Sequence, residues 1–386
     1  MREHAHRLTG VGSTIFAEMS ALAVRTGSVN LGQGFPDEDG PTEVIEAAVA
    51  ALRGGRNQYP PGHGTPELLD AVIGHQRRHY GLELDRSQVV ATTGATEAVA
   101  AALLGLVDPG DEVVVLEPYY DSYVAMIQFA GGVRRPVTLR APDFRLDADE
   151  LAAAVTDRTK LILLNTPHNP TGTVLTRAEL EAVAAIAIER DLLVVTDEVY
   201  EHLTFDQQHV PLATLPGMFE RTVTISSVGK SFSLTGWKVG WASGPDDLVA
   251  AVEGAKNWLS YSSGAPLQPA VAVALNEHDA FHEELAKGLR EKRDRLCAGL
   301  AGLGMQVFEP AGTYFVTTDV SSYGHPDGRA FCLALPELAG VVAIPSQVFY
   351  DDQDEGRHLV RWAFCKHRDV IDEGLRRLGA ADLRAR

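Results

Sequence analysis

Short apolar runs alternate with helix-like segments through the first two thirds of the chain, and this alternation constrains the fold more than any other feature. The runs are Val113–Leu116, Leu161–Leu164, Leu192–Val195 and Val223–Ile225. They are too short for helices and rich in Val, Ile and Leu, which is typical of strands covered on both faces. Because helical segments separate them, the pattern predicts an α/β fold with a mostly parallel sheet and helices on both faces.

Capping signals and helical periodicity mark the segments between these strands. Thr176 begins the segment Thr176–Arg190, and Glu179 three residues later completes the pattern of a capping box. Other segments with helical periodicity are Thr42–Arg53, Ala95–Leu106 and Asp246–Trp258.

The last third of the chain has a different pattern. It predicts, in order, a long charged helix, three short strands and a final helix, near Glu277–Leu303, Thr313–Thr317, Val341–Ile344, His358–Phe364 and Val370–Leu378. This mixture is typical of a smaller α+β domain. We therefore predict an N-terminal arm that joins the small domain (1–40), a large domain (41–270) and a small C-terminal domain (271–386).

Charge and cysteine content limit the partners and the compartment. The chain has 34 Lys and Arg against 52 Asp and Glu, a formal net charge of −18. This balance argues against nucleic acid or an anionic membrane as a partner, and no apolar run approaches the roughly eighteen residues of a membrane span. Three widely spaced cysteines and an N-terminus without an apolar leader predict a cytoplasmic protein with reduced cysteines. No His or Cys set has a recognised zinc spacing, so we expect no metal.

Polar side chains follow three consecutive strands of the predicted sheet. They supply an amide, a carboxylate, a phenol and an amine, from Asn169, Asp197, Tyr200 and Lys230. Ligands of open α/β sheets bind at the carboxyl ends of the strands, so we expect these groups to meet at one edge. The segment Thr93–Glu97 opens a predicted helix there, and its free backbone N–H groups make a natural anion site.

This set of groups matches the needs of one cofactor, pyridoxal 5′-phosphate. A lysine binds its aldehyde covalently, a carboxylate keeps its pyridine nitrogen protonated, and hydrogen-bond donors hold its ring oxygen. A helix N-terminus with nearby hydroxyl groups takes its phosphate. The residues therefore predict a pyridoxal-phosphate site.

The same residues stand in motifs that resemble those of fold-type I pyridoxal-phosphate aminotransferases of classes I and II. The motifs are Asn169-Pro170-Thr171-Gly172, Asp197-Glu198-Val199-Tyr200, Ser226-Ser227-Val228-Gly229-Lys230 and the segment His358–Phe364, which contains Arg361. Asn30–Asp37 and Asn57–Pro60 are similar to the kynurenine, glutamine and methionine aminotransferase branch. With Ser13–Leu22, Tyr119–Tyr123 and Gly264–Leu275 added, the chain looks most like the actinobacterial N-succinyldiaminopimelate aminotransferase type.

The resemblance implies roles for individual residues. Lys230, Asp197 and Tyr200 would be catalytic and would contact the cofactor, and Arg361 would bind the substrate carboxylate. The other implied cofactor contacts are Asn169, Ala95, Thr96, Ser227 and Lys238, with Tyr120 stacked on the ring and Tyr119 as its alternative. Tyr59 would reach the phosphate of the neighbouring subunit in a homodimer. Gly34 and Phe16, with Asn169, would line the substrate site. Many relatives carry arginine where Lys238 stands, which removes a bidentate phosphate contact.

Each of these residues also has an ordinary structural interpretation. Lys230 could be a surface loop lysine, Asp197 a helix cap, Tyr59 a packed tyrosine and Arg361 one partner of an internal salt bridge. A P-loop is excluded because Thr224 stands where that motif requires glycine.

The implied activity is transfer of an amino group from an L-amino acid to a 2-oxo acid by a ping-pong mechanism. Two donor classes stay open. The residues expected to contact the donor's side chain include no cation for a distal carboxylate, which favours neutral or aromatic donors. The resemblance instead favours N-succinyldiaminopimelate. A cysteine-conjugate β-lyase is the enzymatic alternative. A cofactor-binding regulator is the other, and the acidic charge argues against it because such proteins carry a basic DNA-binding domain.

Overall fold

The computed structural model describes residues 5–12 and 14–385. Residues 1–4 of the predicted arm, Ser13 of the run Ser13–Leu22, and the last residue lie outside the described residues. The strands, in chain order, are β1 (Val29–Asn30), β2 (Val89–Thr92), β3 (Glu112–Glu117), β4 (Val133–Thr138), β5 (Thr159–Asn165), β6 (Leu193–Asp197), β7 (Thr222–Ser227), β8 (Gly240–Ser243), β9 (Gln306–Phe308), β10 (Phe315–Asp319), β11 (Val341–Val342), β12 (Ile344–Pro345) and β13 (Leu359–Ala363).

The α-helices follow the same order along the chain. They are α1 (Ile15–Thr26), α2 (Thr42–Arg53), α3 (Pro66–Tyr80), α4 (Gly94–Leu106), α5 (Asp121–Ala130), α6 (Ala148–Ala154), α7 (Arg177–Glu189), α8 (Val228–Ser231), α9 (Asp246–Lys256), α10 (Leu267–Glu277), α11 (Asp279–Gly302), α12 (Gly328–Ala339) and α13 (Arg368–Ala380). In the described part of the chain, none of the helices combines the length and the apolar character needed to cross a bilayer.

Seven strands form the central sheet in the order β2-β8-β7-β6-β5-β3-β4. Its pairs from β7 to β4 are parallel, and β8 runs antiparallel to both of its neighbours. Successive residues of β3 point to opposite faces: Val113 and Val115 pack with α4 and α9, whereas Val114 and Leu116 pack with α7. The sheet is therefore covered on both faces, which confirms the predicted fold class.

A smaller antiparallel sheet, in the order β12-β13-β10-β9, lies in the last third of the chain. Its core also contains Ile15 and Met19 of α1 and Leu31, which follows β1. Strand β1 pairs in parallel with β11, so the N-terminal segment packs on this smaller sheet.

Most predicted elements are present, with shifted ends. The capping box at Thr176 and Glu179 is formed, and α7 begins at the next residue. The strand predicted at Thr313–Thr317 begins only at Phe315, because Thr313 has a positive φ of 65°. The long charged helix is α11, and the preceding helix α10 was not predicted. The predicted domain boundary at residue 270 falls inside α10, which packs on α2 and α3, and the division into domains stays a prediction.

Candidate active site

The carboxyl ends of β5, β6 and β7 border a cavity of about 390 Å³. Every predicted site residue except Tyr59 lines it: Phe16, Gly34, Ala95, Thr96, Tyr120, Asn169, Asp197, Tyr200, Ser227, Lys230, Lys238 and Arg361. These residues come from the N-terminal segment, the central sheet and the small sheet. The structure thus brings together side chains that are far apart in the sequence.

Lys230 reaches the cavity from α8, the single helical turn that follows β7. Its Nζ donates a hydrogen bond to the Tyr314 hydroxyl at 2.8 Å and lies 3.5 Å from the carbonyl oxygen of Gly34. Burial lowers the pKa of the Lys230 amine from 10.5 to about 8. A larger share of the amine is therefore neutral near physiological pH, as a nucleophile or base requires.

Asp197 is the last residue of β6 and is buried at the cavity wall. Its carboxylate accepts a hydrogen bond from the Tyr123 hydroxyl at 2.7 Å and a longer one from the Val199 amide at 3.4 Å. Burial raises the pKa of Asp197 from 3.8 to about 6. A cationic N–H in the cavity would supply the partner that this buried carboxylate needs.

The ammonium of Lys238 and free backbone N–H groups lie at the start of α4. The first helical residue, Gly94, has a φ of 72°, and Ala95 and Thr96 follow it along the cavity wall. A Cβ at Gly94 would lie 3.2 Å from Nζ of Lys238, so the ammonium sits against the helix N-terminus. The free N–H groups, this ammonium and the Ser227 hydroxyl fit a phosphate group.

Arg361 is held in β13 with only 1% of its surface exposed. Nη1 donates to Oδ1 of Asn169 at 3.0 Å, Nη2 donates to the carbonyl of Gly32 at 2.9 Å, and Nε is buried without a partner. Phe315 covers the guanidinium at 4.0 Å. Burial lowers the pKa of Arg361 to about 10.

The salt-bridge interpretation of Arg361 is wrong, since within residues 5–12 and 14–385 it forms no ion pair. A buried cation held only by neutral groups is stabilised by an incoming anion. The free Nε and the planar donor set suit a carboxylate.

The two candidate stacking tyrosines differ in position. Tyr120 precedes α5 and lines the cavity, with its ring 5.6 Å from that of Tyr123. The Tyr119 hydroxyl instead donates to Asp351 at 2.7 Å, and its side chain does not line the cavity. The geometry supports Tyr120.

Tyr59 lies on the surface and does not line the cavity of its own chain. It is 85% exposed, and its ring meets that of Tyr261 edge-on at 5.9 Å. Trp258, three residues before Tyr261 in the chain, is 88% exposed. The action of Tyr59 on a neighbouring subunit therefore stays a prediction.

Sequence reasoning missed three side chains that position the predicted ones. Tyr314 bonds Lys230, Tyr123 bonds Asp197, and Asn165 donates to the backbone carbonyl of Asp197 at 2.8 Å. Asn165 is the last residue of β5, so the rule that strand ends carry the site could have found it. Tyr123 and Tyr314 carry no comparable local signal, because buried tyrosines are common in cores.

Comparisons with known proteins agree with this geometry. Residues 26–378 match the family model described as aminotransferase class I and II. The chain is 53% identical to the probable N-succinyldiaminopimelate aminotransferase of Mycobacterium tuberculosis over 385 residues, covering 96% of this chain and 97% of that protein. It is 38% identical to the methionine aminotransferase of Escherichia coli over 374 residues, covering 96% of this chain and 97% of the relative.

A solved structure of N-succinyldiaminopimelate aminotransferase from M. tuberculosis superposes with a TM-score of 0.96, covering 98% of this chain and all of that one (100%) at 53% identity. The family and the branch predicted from the motifs are thereby confirmed. With Lys230, Asp197 and Arg361 around one cavity and relatives that match almost end to end, the chain belongs to the class I and II aminotransferases and is a fold-type I, pyridoxal-phosphate-dependent aminotransferase.

Proposed function

We propose that the cavity holds pyridoxal phosphate between Lys230 and Asp197, and that Arg361 binds the carboxylate of each amino-acid or oxo-acid substrate. One observation carries this proposal: the same cavity contains a buried carboxylate at Asp197 and a buried cation at Arg361, and neither has an ionic partner within the described ranges of the chain. A pyridinium N–H and a substrate carboxylate would supply those partners.

When bound, the cofactor supplies an aldehyde that links to amines and a ring that delocalises the electron pair left at the substrate Cα. The chain's residues then have distinct tasks. Asp197 holds a proton on the ring nitrogen, which strengthens that delocalisation. Lys230 would take the proton from the substrate Cα as general base and, as general acid, would deliver it to the cofactor carbon that carried the aldehyde. Its lowered pKa of about 8 makes the free amine available for the first step.

The remaining cavity residues orient the reacting groups. Tyr200 and Asn169 would donate to the ring oxygen, and Tyr120 would cover one face of the ring. Ala95, Thr96, Ser227 and Lys238 would hold the phosphate. Because the Asn169 amide oxygen already accepts from Arg361 at 3.0 Å, its amide nitrogen is left to donate into the cavity.

A half-reaction tests the proposed chemistry. Enzyme mixed with an excess of either N-succinyldiaminopimelate or L-methionine and no oxo acid should release, with the donor that it accepts, about one equivalent of 2-oxo acid per chain and then stop, because the amino group stays on the enzyme. Addition of 2-oxoglutarate should restart turnover. A β-lyase would instead release pyruvate continuously from a cysteine conjugate without any oxo acid, and that result would contradict the assignment.

For the donor, we propose N-succinyldiaminopimelate, supported by the relative that carries this name at 53% identity over most of the chain. Phe35 lines the cavity and is 48% exposed, so the cavity reaches the surface there. A long donor bound through Arg361 would extend its anionic end toward that opening, where solvation makes a buried cation unnecessary.

Neutral donors such as methionine are the second candidate. Among the described residues that line the cavity, the only Lys and Arg side chains are Lys230, Lys238 and Arg361, and all three already have tasks. Comparison of kcat/KM for N-succinyldiaminopimelate, methionine, glutamine, kynurenine and aspartate decides between the two. A tenfold preference for methionine over the succinylated donor would favour the inference from the cavity's charges over the inference from the similar protein. A tenfold preference for aspartate would contradict both inferences.

We also propose a homodimer in which Tyr59 completes the phosphate site of the partner. The exposed rings of Tyr59, Trp258 and Tyr261 support it, because large exposed apolar groups are typical of interfaces. Mixing inactive Lys230→Ala subunits with Tyr59→Phe subunits, whose activity is reduced, should give more activity than the two give separately, since one site of each hybrid carries neither change. A fully active monomer in sedimentation would contradict the proposal.

The compartment we propose is the cytoplasm, and the three cysteines are buried and unbridged.

A further inference from the structure

Four histidines gather in one place outside the active-site cavity. His75 and His79 lie one turn apart on α3, His202 lies in the segment after β6, and His282 lies on α11. None of them lines the cavity that contains Lys230. Elements distant in sequence therefore bring their imidazoles to a single point for which the proposed reaction has no use.

Three of these rings converge closely. One ring nitrogen from each of His75, His79 and His202 can be chosen so that all three lie within 4.8 Å of one another. Nε2 of His75 and Nε2 of His202 are 2.7 Å apart. The ring centre of His79 is 4.6 Å from that of His75 and 4.9 Å from that of His202. Three imidazole nitrogens in a space this small form a ready set of metal ligands.

The cluster also contains buried nitrogens without partners. Among the described residues, Nδ1 of His75, which is 1% exposed, has no hydrogen-bond partner, and neither ring nitrogen of His282, which is 5% exposed, has one. Unpartnered polar groups at this depth are rare in folded proteins, so the cluster is not an ordinary hydrogen-bonded part of the core.

We propose that His75, His79 and His202 bind one Zn²⁺ ion. Neutral imidazoles favour borderline divalent ions of this kind over Ca²⁺ or Mg²⁺, which prefer oxygen ligands. Zinc–nitrogen bonds of about 2.0–2.1 Å in a tetrahedron place the nitrogens about 3.3 Å apart, so His75 and His202 need to separate only slightly. The fourth position would hold water, because His79 is exposed and opens the site to solvent.

Charged neighbours favour His79 as a ligand. Asp279 Oδ1 lies 3.3 Å from Nε2 of His79, close enough for a carboxylate that orients a ligating histidine. The nearest cation, Arg78, donates to both oxygens of Asp279 at 3.1 and 3.2 Å, so its charge is largely neutralised. A second possible set, His79, Asp279 and His282, shares His79 and would compete with the proposed one.

The position of the site gives the ion a structural task. His202 follows Tyr200 by two residues, and Glu201 between them accepts hydrogen bonds from Ser226 and from Tyr80, at 2.6 Å for the latter. An ion on His75, His79 and His202 would therefore tie α3 to the segment that carries Tyr200. It would act as a staple and take no part in the chemistry at Lys230.

Metal binding to the cofactor-loaded enzyme tests the proposal. After treatment with a chelator and desalting, the enzyme is titrated with Zn²⁺ against a chromophoric chelator, and with Co²⁺ to record the visible bands of tetrahedral nitrogen coordination. We expect one ion per chain and a rise in Tm with Zn²⁺. If the enzyme took no Zn²⁺ from the chromophoric chelator, the proposal would be overturned.

Variants identify the ligands. His79→Ala and His202→Ala should each weaken Zn²⁺ binding by more than the about 10–100-fold that loss of an outer partner costs. The control His278→Ala changes a histidine beside the cluster that belongs to neither ligand set, and it should bind as the unchanged enzyme does. His79 is exposed, so its variant should fold even if others do not. Binding lost in His282→Ala but kept in His202→Ala would contradict the proposed ligands, as would full binding by His79→Ala.

Discussion

The two halves of the active-site cavity are built in different ways. The half that would hold the cofactor consists of Asp197 and Lys230 at the ends of neighbouring strands, and of the start of α4 beside the same sheet. The half around Arg361 is assembled from the small sheet, the N-terminal segment and the loop after β5, through contacts to Gly32 and Asn169.

This difference shows two ways in which the positions of site residues are determined, by the order of strands in one sheet or by packing between distant parts of the chain. A sheet edge places consecutive strand ends side by side, so the cofactor half follows from chain topology alone. The substrate half depends on how two sheets and an N-terminal segment pack together. Changes in the first half should therefore act on cofactor binding and chemistry, and changes in the second on substrate affinity.

Loss of Lys230 should have the largest effect, because this residue serves both halves. Lys230→Ala should lower transamination by about 10²–10⁴-fold, since the proton transfer at Cα loses its base. Cofactor binding should weaken without being abolished. The control Lys287→Ala removes an exposed lysine on α11 and should be neutral. A Lys230→Ala enzyme that turns over near the normal rate would show that another group moves the proton.

Loss of Asp197 should affect the chemistry and leave substrate affinity alone. Asp197→Ala removes the charge that holds a proton on the cofactor ring, which typically costs about 3–4 kcal/mol or about 10²–10³ in rate. The decrease should appear in kcat, with KM little changed. Asp157→Ala, at an exposed position, serves as the control. A decrease in kcat of less than threefold would show that Asp197 does not hold the proton on the cofactor ring.

A matched pair of substitutions tests whether the halves are separable. Arg361→Lys keeps the charge but loses the planar donor set, so KM for every donor and oxo acid should rise by about 10–100-fold. Lys238→Gln should weaken cofactor binding, measured by dialysis, and leave KM at saturating cofactor unchanged. If Arg361→Lys weakened the cofactor as much as the substrates, the distinction between the halves would fail.

Tyr314 should give the smallest effect, because it only positions Lys230. Tyr314→Phe removes a hydroxyl that accepts from Nζ at 2.8 Å and donates to the Gly34 carbonyl at 2.7 Å. One neutral hydrogen bond is worth about 0.5–1.5 kcal/mol, so kcat should fall by about 2–10-fold. Tyr323→Phe, whose hydroxyl bonds the distant Leu303 carbonyl, is the control. An unchanged kcat would show that packing alone positions the lysine.

Local patterns in the sequence predicted the secondary structure, and the family motifs predicted the distant Arg361, but side chains that only position the site residues were missed. The strands β5 to β7 and the capping box at Thr176 were predictable because hydrophobic period and capping are encoded within a few residues. Tyr314 was missed because in a strand-like segment it resembles any core tyrosine. His75 and His79 lie one helical turn apart, but two histidines alone are not a zinc motif, and His202 joins them only through tertiary packing.

The position of Arg361 in β13 also has a mechanical consequence. Its guanidinium contacts the backbone at Gly32 and the side chain of Asn169, so one side chain joins three stretches that are distant in the sequence. A carboxylate bound there would restrict the motion of these stretches relative to one another. The rigidity of the whole molecule would therefore differ between the filled and the empty site. Binding energy from a group common to all substrates would thus be converted into stiffness, whichever side chain the donor carries.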